Sequence, residues 1–108
     1  MIARVWHGWT SRQNADAYER HLRTKVLPGI LRVKGYRGAH LLRRQDGEEV
    51  KFIAITYFES MDAVRGFAGP EYRTAVISEE AQTLLSRCDQ QAEHYTVVLD
   101  LEATSRKE

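Results

Sequence analysis

An imidazole between two indoles is the first place in this chain where chemistry could occur. His7 stands between Trp6 and Trp9 in the N-terminal segment. A neutral imidazole can take a proton from a phenol or an activated carbon near neutral pH, and flanking aromatic rings can stack on a flat substrate. The same three residues can equally pack a sheet, with the imidazole hydrogen-bonded to a neighbour; the sequence leaves both roles open. His40 and His94 fall on expected strands at the two sheet edges, where a histidine meets solvent or a partner subunit. His21 lies mid-helix, one residue before Leu22, and is expected to be exposed. Tyr72 follows the Gly69-Pro70 break, which can leave its hydroxyl facing a cavity.

Other chemistries lack their signatures. The four histidines and Cys88 show no HxxxH or CxxC spacing, so no metal site is expected. Neither a glycine-rich phosphate loop nor a nucleophile elbow is present. Cys88 is the sole cysteine, which rules out an intrachain disulfide and points to a reducing, cytoplasmic setting. The segment MIARVWHGW lacks the basic start and apolar run of a signal peptide. No apolar stretch approaches the ~20 residues that span a bilayer. With 16 Lys+Arg against 15 Asp+Glu, the net charge is +1 and the signs are mixed. A nucleic-acid partner usually demands a basic excess, so none is expected. Lys34-Gly35-Tyr36-Arg37-Gly38-Ala39 echoes the start of an RNA-recognition signature, but on the second strand instead of the third, and without the stacking aromatics.

The elements that must position these residues follow from pattern and punctuation. Ile2 to Trp9 reads as a strand. Thr10-Ser11-Arg12-Gln13 fits a capping box, and Tyr18, Leu22 and Val26 mark the buried stripe of the helix behind it. Pro28-Gly29 should break or kink that helix, and Gly35 suits its left-handed end. Tyr36 to Arg44 is a second strand, Asp46-Gly47 a hairpin turn, and Val50 to Phe58 a third strand. Ser60 can cap the next helix, with Asp62 near its positive end. Pro70 suits the start of another short helix, Ser78 to Cys88 a further helical stretch, and Glu93 to Leu101 the fourth strand. One domain over residues 1–103 is expected, with Thr104 to Glu108 a frayed tail.

This order is β-α-β-β-α-β, the ferredoxin-like α+β plan with an antiparallel sheet. Helices on one face leave the other to water, yet both faces look apolar. Ile53, Ile55 and Tyr57 oppose Val50, Phe52, Ala54 and Phe58. Tyr95, Val97, Leu99 and Leu101 oppose Thr96 and Val98. Two apolar faces need two covers, and one layer of helices supplies one. The sheet of an identical subunit is the expected second cover, giving a homodimer through sheet packing.

IARVWHG at the start, the Ser60 to Phe67 helix followed by AGPEYRTAV, and HYTVV near the end resemble the antibiotic-biosynthesis-monooxygenase family. The resemblance spans Met1 to about Val98 and implies a dimeric α+β barrel. That family includes cofactor-independent oxygenases of aromatic polyketides, quinol oxygenases and haem-degrading enzymes. The haem-degrading branch carries an Asn in the first strand, a Trp in the helix after the third strand and a His beyond it. Here the first strand has no Asn, Phe67 takes the Trp position, and the His position falls near Val76, which cannot ligate iron. The resemblance places Tyr57, Phe67 and Tyr72 at the pocket wall and His94 close to it.

Together these imply an oxidoreductase, a monooxygenase without a cofactor, acting on a small aromatic or quinol-like molecule. His7, His94 and Tyr72 are the candidate catalytic residues; Trp6, Trp9, Tyr57, Phe67 and His40 are the candidate substrate contacts. A non-catalytic dimeric binding or accessory protein of the same fold is the alternative. An enclosed pocket containing a His or Tyr favours the enzyme; a collapsed apolar interior favours the accessory role.

Overall fold

A computed structural model describes residues 1–101 of the chain. The proposed boundary at 103 and the tail Thr104 to Glu108 lie outside the described residues. Strand β1 (Ile2–Ser11) forms the centre of an antiparallel sheet with β3 (Glu49–Phe58). On the far side of β3 runs β2 (Tyr36–Asp46). The other flank of β1 is shared by two short strands in series, β5 (Glu93–Thr96) along its first half and β4 (Leu85–Cys88) along its second. The order β2-β3-β1 followed by the β4/β5 edge is the ferredoxin-like sheet, with its last strand interrupted.

The interruption corrects two expectations. Leu85–Cys88 is strand instead of helix, because pairing with β1 takes over once helix α4 (Glu79–Leu84) ends. The final strand stops at Thr96, well short of Leu101; only Val97 extends the edge, its N–H reaching the Met1 carbonyl at 2.9 Å. No helix starts at Pro70 either: residues 70–73 are bends and turns, and Thr74 forms an isolated bridge with Gln91.

The β2–β3 hairpin turns at Gly47, whose φ of +64° is the left-handed value the first residue of a tight turn requires. Ser60 caps helix α3 (Met61–Ala68), accepting the Ala63 N–H at 3.3 Å. The first helix differs from the capping-box reading. Thr10 stays in β1 opposite Val50, fully buried, and the Ser11 hydroxyl instead accepts the Asn14 N–H at 3.2 Å. Helix α1 (Ala15–His21) then widens into a π-helical turn over Leu22–Val26 before α2 (Leu27–Ile30). Pro28 lacks the amide that would continue regular α bonding, which accounts for a distortion just ahead of it.

Alternation along the register assigns the faces. Arg4, Trp6, Gly8 and Thr10 lie opposite Thr56, Ala54, Phe52 and Val50, all on the helix side. There Phe52, Val50, Tyr18, Ala15 and Ala81 form the core, with the Tyr18 ring edge-on to Phe52 at 5.0 Å. Val5, His7, Ile53, Ile55, Tyr57 and Leu42 occupy the opposite face, which no element among the described residues covers in full; Leu42 is 46% exposed. Two apolar faces with a single layer of helices are therefore present, as the strand patterns predicted.

Candidate functional site

The space between the helices and the sheet holds two adjoining cavities. The larger, about 480 Å³, lies between the α1–α2 segment and strands β2 and β3. The smaller, about 100 Å³, lies beside Trp6 and Phe67. Leu22, Val26, Ile30, Ala54 and Thr56 border both, so the π-helical turn forms part of the wall between them. Such turns recur at functional sites because they displace side chains from the regular helical spiral. The Trp6 ring lies so close over Gly8 that a Cβ there would come within 2.4 Å of it.

At one end of the smaller cavity sits Arg4, 5% exposed. Its Nη1 donates to the Tyr72 carbonyl and lies 3.0 Å from His94 Nε2, while Nη2 donates to the Thr74 carbonyl at 3.1 Å. The Phe67 ring lies 5.5 Å from the guanidinium carbon. The Tyr72 ring meets the His94 ring edge-on at 5.3 Å and is flanked by the guanidinium groups of Arg65 and Arg73 at 5.4 and 5.8 Å. Burial, then the charges of Arg4 and Arg73, hold the His94 imidazole below its ordinary pKa, so it is neutral near pH 7. Burial likewise lowers the Arg4 guanidinium from its ordinary value.

His21 is buried and lines the same cavity, which corrects the expectation that it is exposed. Residues 15, 18 and 21 form one buried row at i, i+3 spacing, and α4 covers it from the side. The Ser78 hydroxyl, which caps α4 by accepting the Ala81 N–H at 3.1 Å, lies 3.2 Å from His21 Nε2. Glu80 comes within 3.2 Å of His21 Nδ1, but off the hydrogen-bonding direction, so that nitrogen has no aligned partner.

The candidate residues divide between the two faces. Trp6, Phe67, Tyr72 and His94 gather on the helix side around Arg4. His7, Trp9, His40 and Tyr57 lie on the open face by register, and His40 also borders the larger cavity. Asp89, in the gap between β4 and β5, serves both. Its carbonyl accepts the Trp6 indole N–H at 2.9 Å, and its carboxylate lies 2.7 Å from His7 Nδ1. His40 Nδ1 is 3.3 Å from the Tyr57 hydroxyl, and the Trp9 ring carries Arg87 at 3.9 Å and Lys51 at 5.4 Å. Sequence reasoning passed over Arg4 and His21. The register of β1, which puts residues 4 and 6 on one face, was the available signal for Arg4. Among the described residues, no three His, Cys, Asp or Glu side chains come together as a metal site. No helix of the described chain is long and apolar enough to cross a membrane.

No family model matches the chain, and no curated protein is significantly similar to it. Solved structures are similar in fold. MhuD, a haem degrader of Mycobacterium tuberculosis, solved as a mutant with two manganese protoporphyrin IX per active site, superposes with a TM-score of 0.70 at 20% identity, covering 95% of this chain and 100% of that one. The ActVA-Orf6 monooxygenase of Streptomyces coelicolor, solved with nanaomycin D, gives 0.66 at 20% identity over 95% and 92% of the two chains. SnoaB, a cofactor-independent oxygenase of Streptomyces nogalater, gives 0.65 at 17% identity over 94% and 98%. The residues here do not fit a haem group. Val76 offers no donor, His21 is engaged by Ser78, and His94 Nε2 lies against a guanidinium. By its helix-covered antiparallel sheet and near-complete superposition, this chain has the fold of the antibiotic-biosynthesis-monooxygenase type of protein.

Proposed function

We propose that the protein is a cofactor-independent monooxygenase of a small aromatic or quinol-like molecule, working as a homodimer. The observation that carries this reading is the cavity between helices and sheet, lined by Trp6, Phe67 and Arg4, with neutral His94 and Tyr72 outside its lining, His94 in contact with the Arg4 guanidinium and Tyr72 against both. In such a reaction the deprotonated substrate itself supplies the electrons to oxygen. One oxygen atom enters the product and the other leaves as water. His94 takes the substrate proton on Nε2 once that nitrogen leaves its contact with Arg4, Tyr72 donates to the developing oxyanion, and the aromatic walls exclude water and hold the ring.

The uncovered face, with Val5, Ile53, Ile55 and Leu42 at its centre, is the surface a second copy would cover. His7, fixed by Asp89, is the candidate base for a ligand held between the two sheets, and Trp9, Tyr57 and His40 its contacts. A binding role without turnover is the competing reading, favoured by the small volume of the compartment beside Arg4. His94→Ala and His7→Ala, tested separately for oxygen uptake with quinol or anthrone substrates, decide among these. Loss of about 100-fold or more in one variant, with the dimer intact, assigns the base. Unchanged turnover in both rejects the assignment, and no turnover in the wild type favours the binding role.

A further inference from the structure

Arg4 is a buried cation with no anionic partner among the described residues. Its partners are two backbone carbonyls and a neutral imidazole, and among the described residues no carboxylate lies within ion-pair distance of it. Two further guanidinium groups lie on the Tyr72 ring, which packs against His94: Arg73, and Arg65, which is paired with Asp62 at 3.1 Å. His21 lines the same cavity, and its acidic neighbour, Glu80, is paired with Lys25 at 3.5 Å. A guanidinium has five N–H donors. The three bonds use both hydrogens of Nη1 and one of Nη2, which leaves Nε–H and one Nη2 hydrogen without an acceptor among the described residues, on a side chain that lines the cavity. Burying a guanidinium is costly unless a counter-charge completes it, and a planar fork of unused donors matches an oxyanion.

We infer that the cavity takes its ligand as an oxyanion, an aromatic phenolate or enolate whose oxygen docks on the two unused donors of Arg4. This rests on the reading of the cavity as the ligand site and adds the charge state in which the ligand is held. The ring then lies along Phe67 and Trp6, and extends past Val26 into the larger cavity. On binding, the phenol releases its O–H proton to solvent, a proton distinct from the one His94 takes in turnover; Arg4, charged throughout, favours the anion over the neutral acid.

The test uses 4-nitrophenol, whose phenolate is coloured, and its neutral methyl ether 4-nitroanisole. The wild-type protein should bind the phenolate at least about tenfold more tightly than the ether, and the bound phenol should ionise about one pH unit or more below the free phenol. Arg4→Gln should abolish both differences, and Arg4→Lys should keep part of the preference. Equal affinity for phenolate and ether in the wild type overturns the inference without any variant, as does an unshifted ionisation. A preference retained in folded Arg4→Gln also overturns it, and so does failure of the phenolate to bind at millimolar concentration. A clear preference in a protein that consumes no oxygen upholds the anion site while sinking the monooxygenase reading.

Discussion

His94 Nε2 lies 3.0 Å from a guanidinium nitrogen of Arg4, so one hydrogen bond joins a strand-edge imidazole to a buried cation. The contact requires the imidazole to accept through Nε2, which it can do only when that nitrogen is unprotonated. Burial and the two arginine charges favour the same neutral form.

The sign of the resulting pH dependence follows. The folded-state pKa of His94 lies below its ordinary 6.5, so the unfolded chain binds the extra proton first as pH falls. This contribution to stability is present above pH 6.5 and is lost as the pH drops through the folded-state value. If His94 is the base, the acid limb of turnover lies below 6.5, and Arg4→Gln moves it upward. A pH–rate profile of both proteins checks the shift; an acid limb that stays in place contradicts it.

Replacing Ile55 by Lys puts a charge at the centre of the uncovered face without touching the helix-side core. Sedimentation velocity at micromolar concentration should show the wild type as a dimer and Ile55→Lys as a folded monomer. Association unchanged by the lysine would place the dimer contact elsewhere.

Phe52 has no exposed surface and meets Tyr18 edge-on. Phe52→Ala should therefore cost about 3–5 kcal/mol in urea unfolding. A loss below about 1 kcal/mol would mean the core is not centred there.

Gly35 joins two constraints: a φ of +88° and a Cβ position 2.6 Å from that of Ala63. Gly35→Ala should destabilise by more than about 1 kcal/mol through backbone strain alone, with the clash against α3 added. Ser78→Ala should cost about 1 kcal/mol as a lost cap, and more than Ser60→Ala, because only Ser78 also holds a buried histidine. Thermal unfolding of the three variants ranks them.

The features legible in the sequence were those set by local chemistry. Alternation in Val50 to Phe58, the turn at Gly47 and the cap at Ser60 each depend on a few neighbouring residues, and each appears as read. The misread segments are those in which a distant partner wins. Thr10 can cap a helix, but pairing with β3 keeps it in β1, so the helix starts later, at Asn14, whose N–H the Ser11 hydroxyl accepts. Leu85–Cys88 has no strong strand signal of its own and is extended because β1 offers an edge. His21 looked exposed because a stripe at residues 18, 22 and 26 accounts for only one packing surface, the sheet. The second surface, α4, comes from a segment about 60 residues away and buries the adjacent position. The candidate site was legible as a set of residue types, but its division between two faces depends on strand register.

The most direct test of the account follows labelled oxygen into product. Protein treated with a chelator and supplied with a quinol or anthrone substrate under ¹⁸O₂ should incorporate one labelled oxygen atom per oxygen molecule consumed, at an undiminished rate. Absence of label, or oxygen consumption that returns only when a metal or cofactor is added, would contradict it.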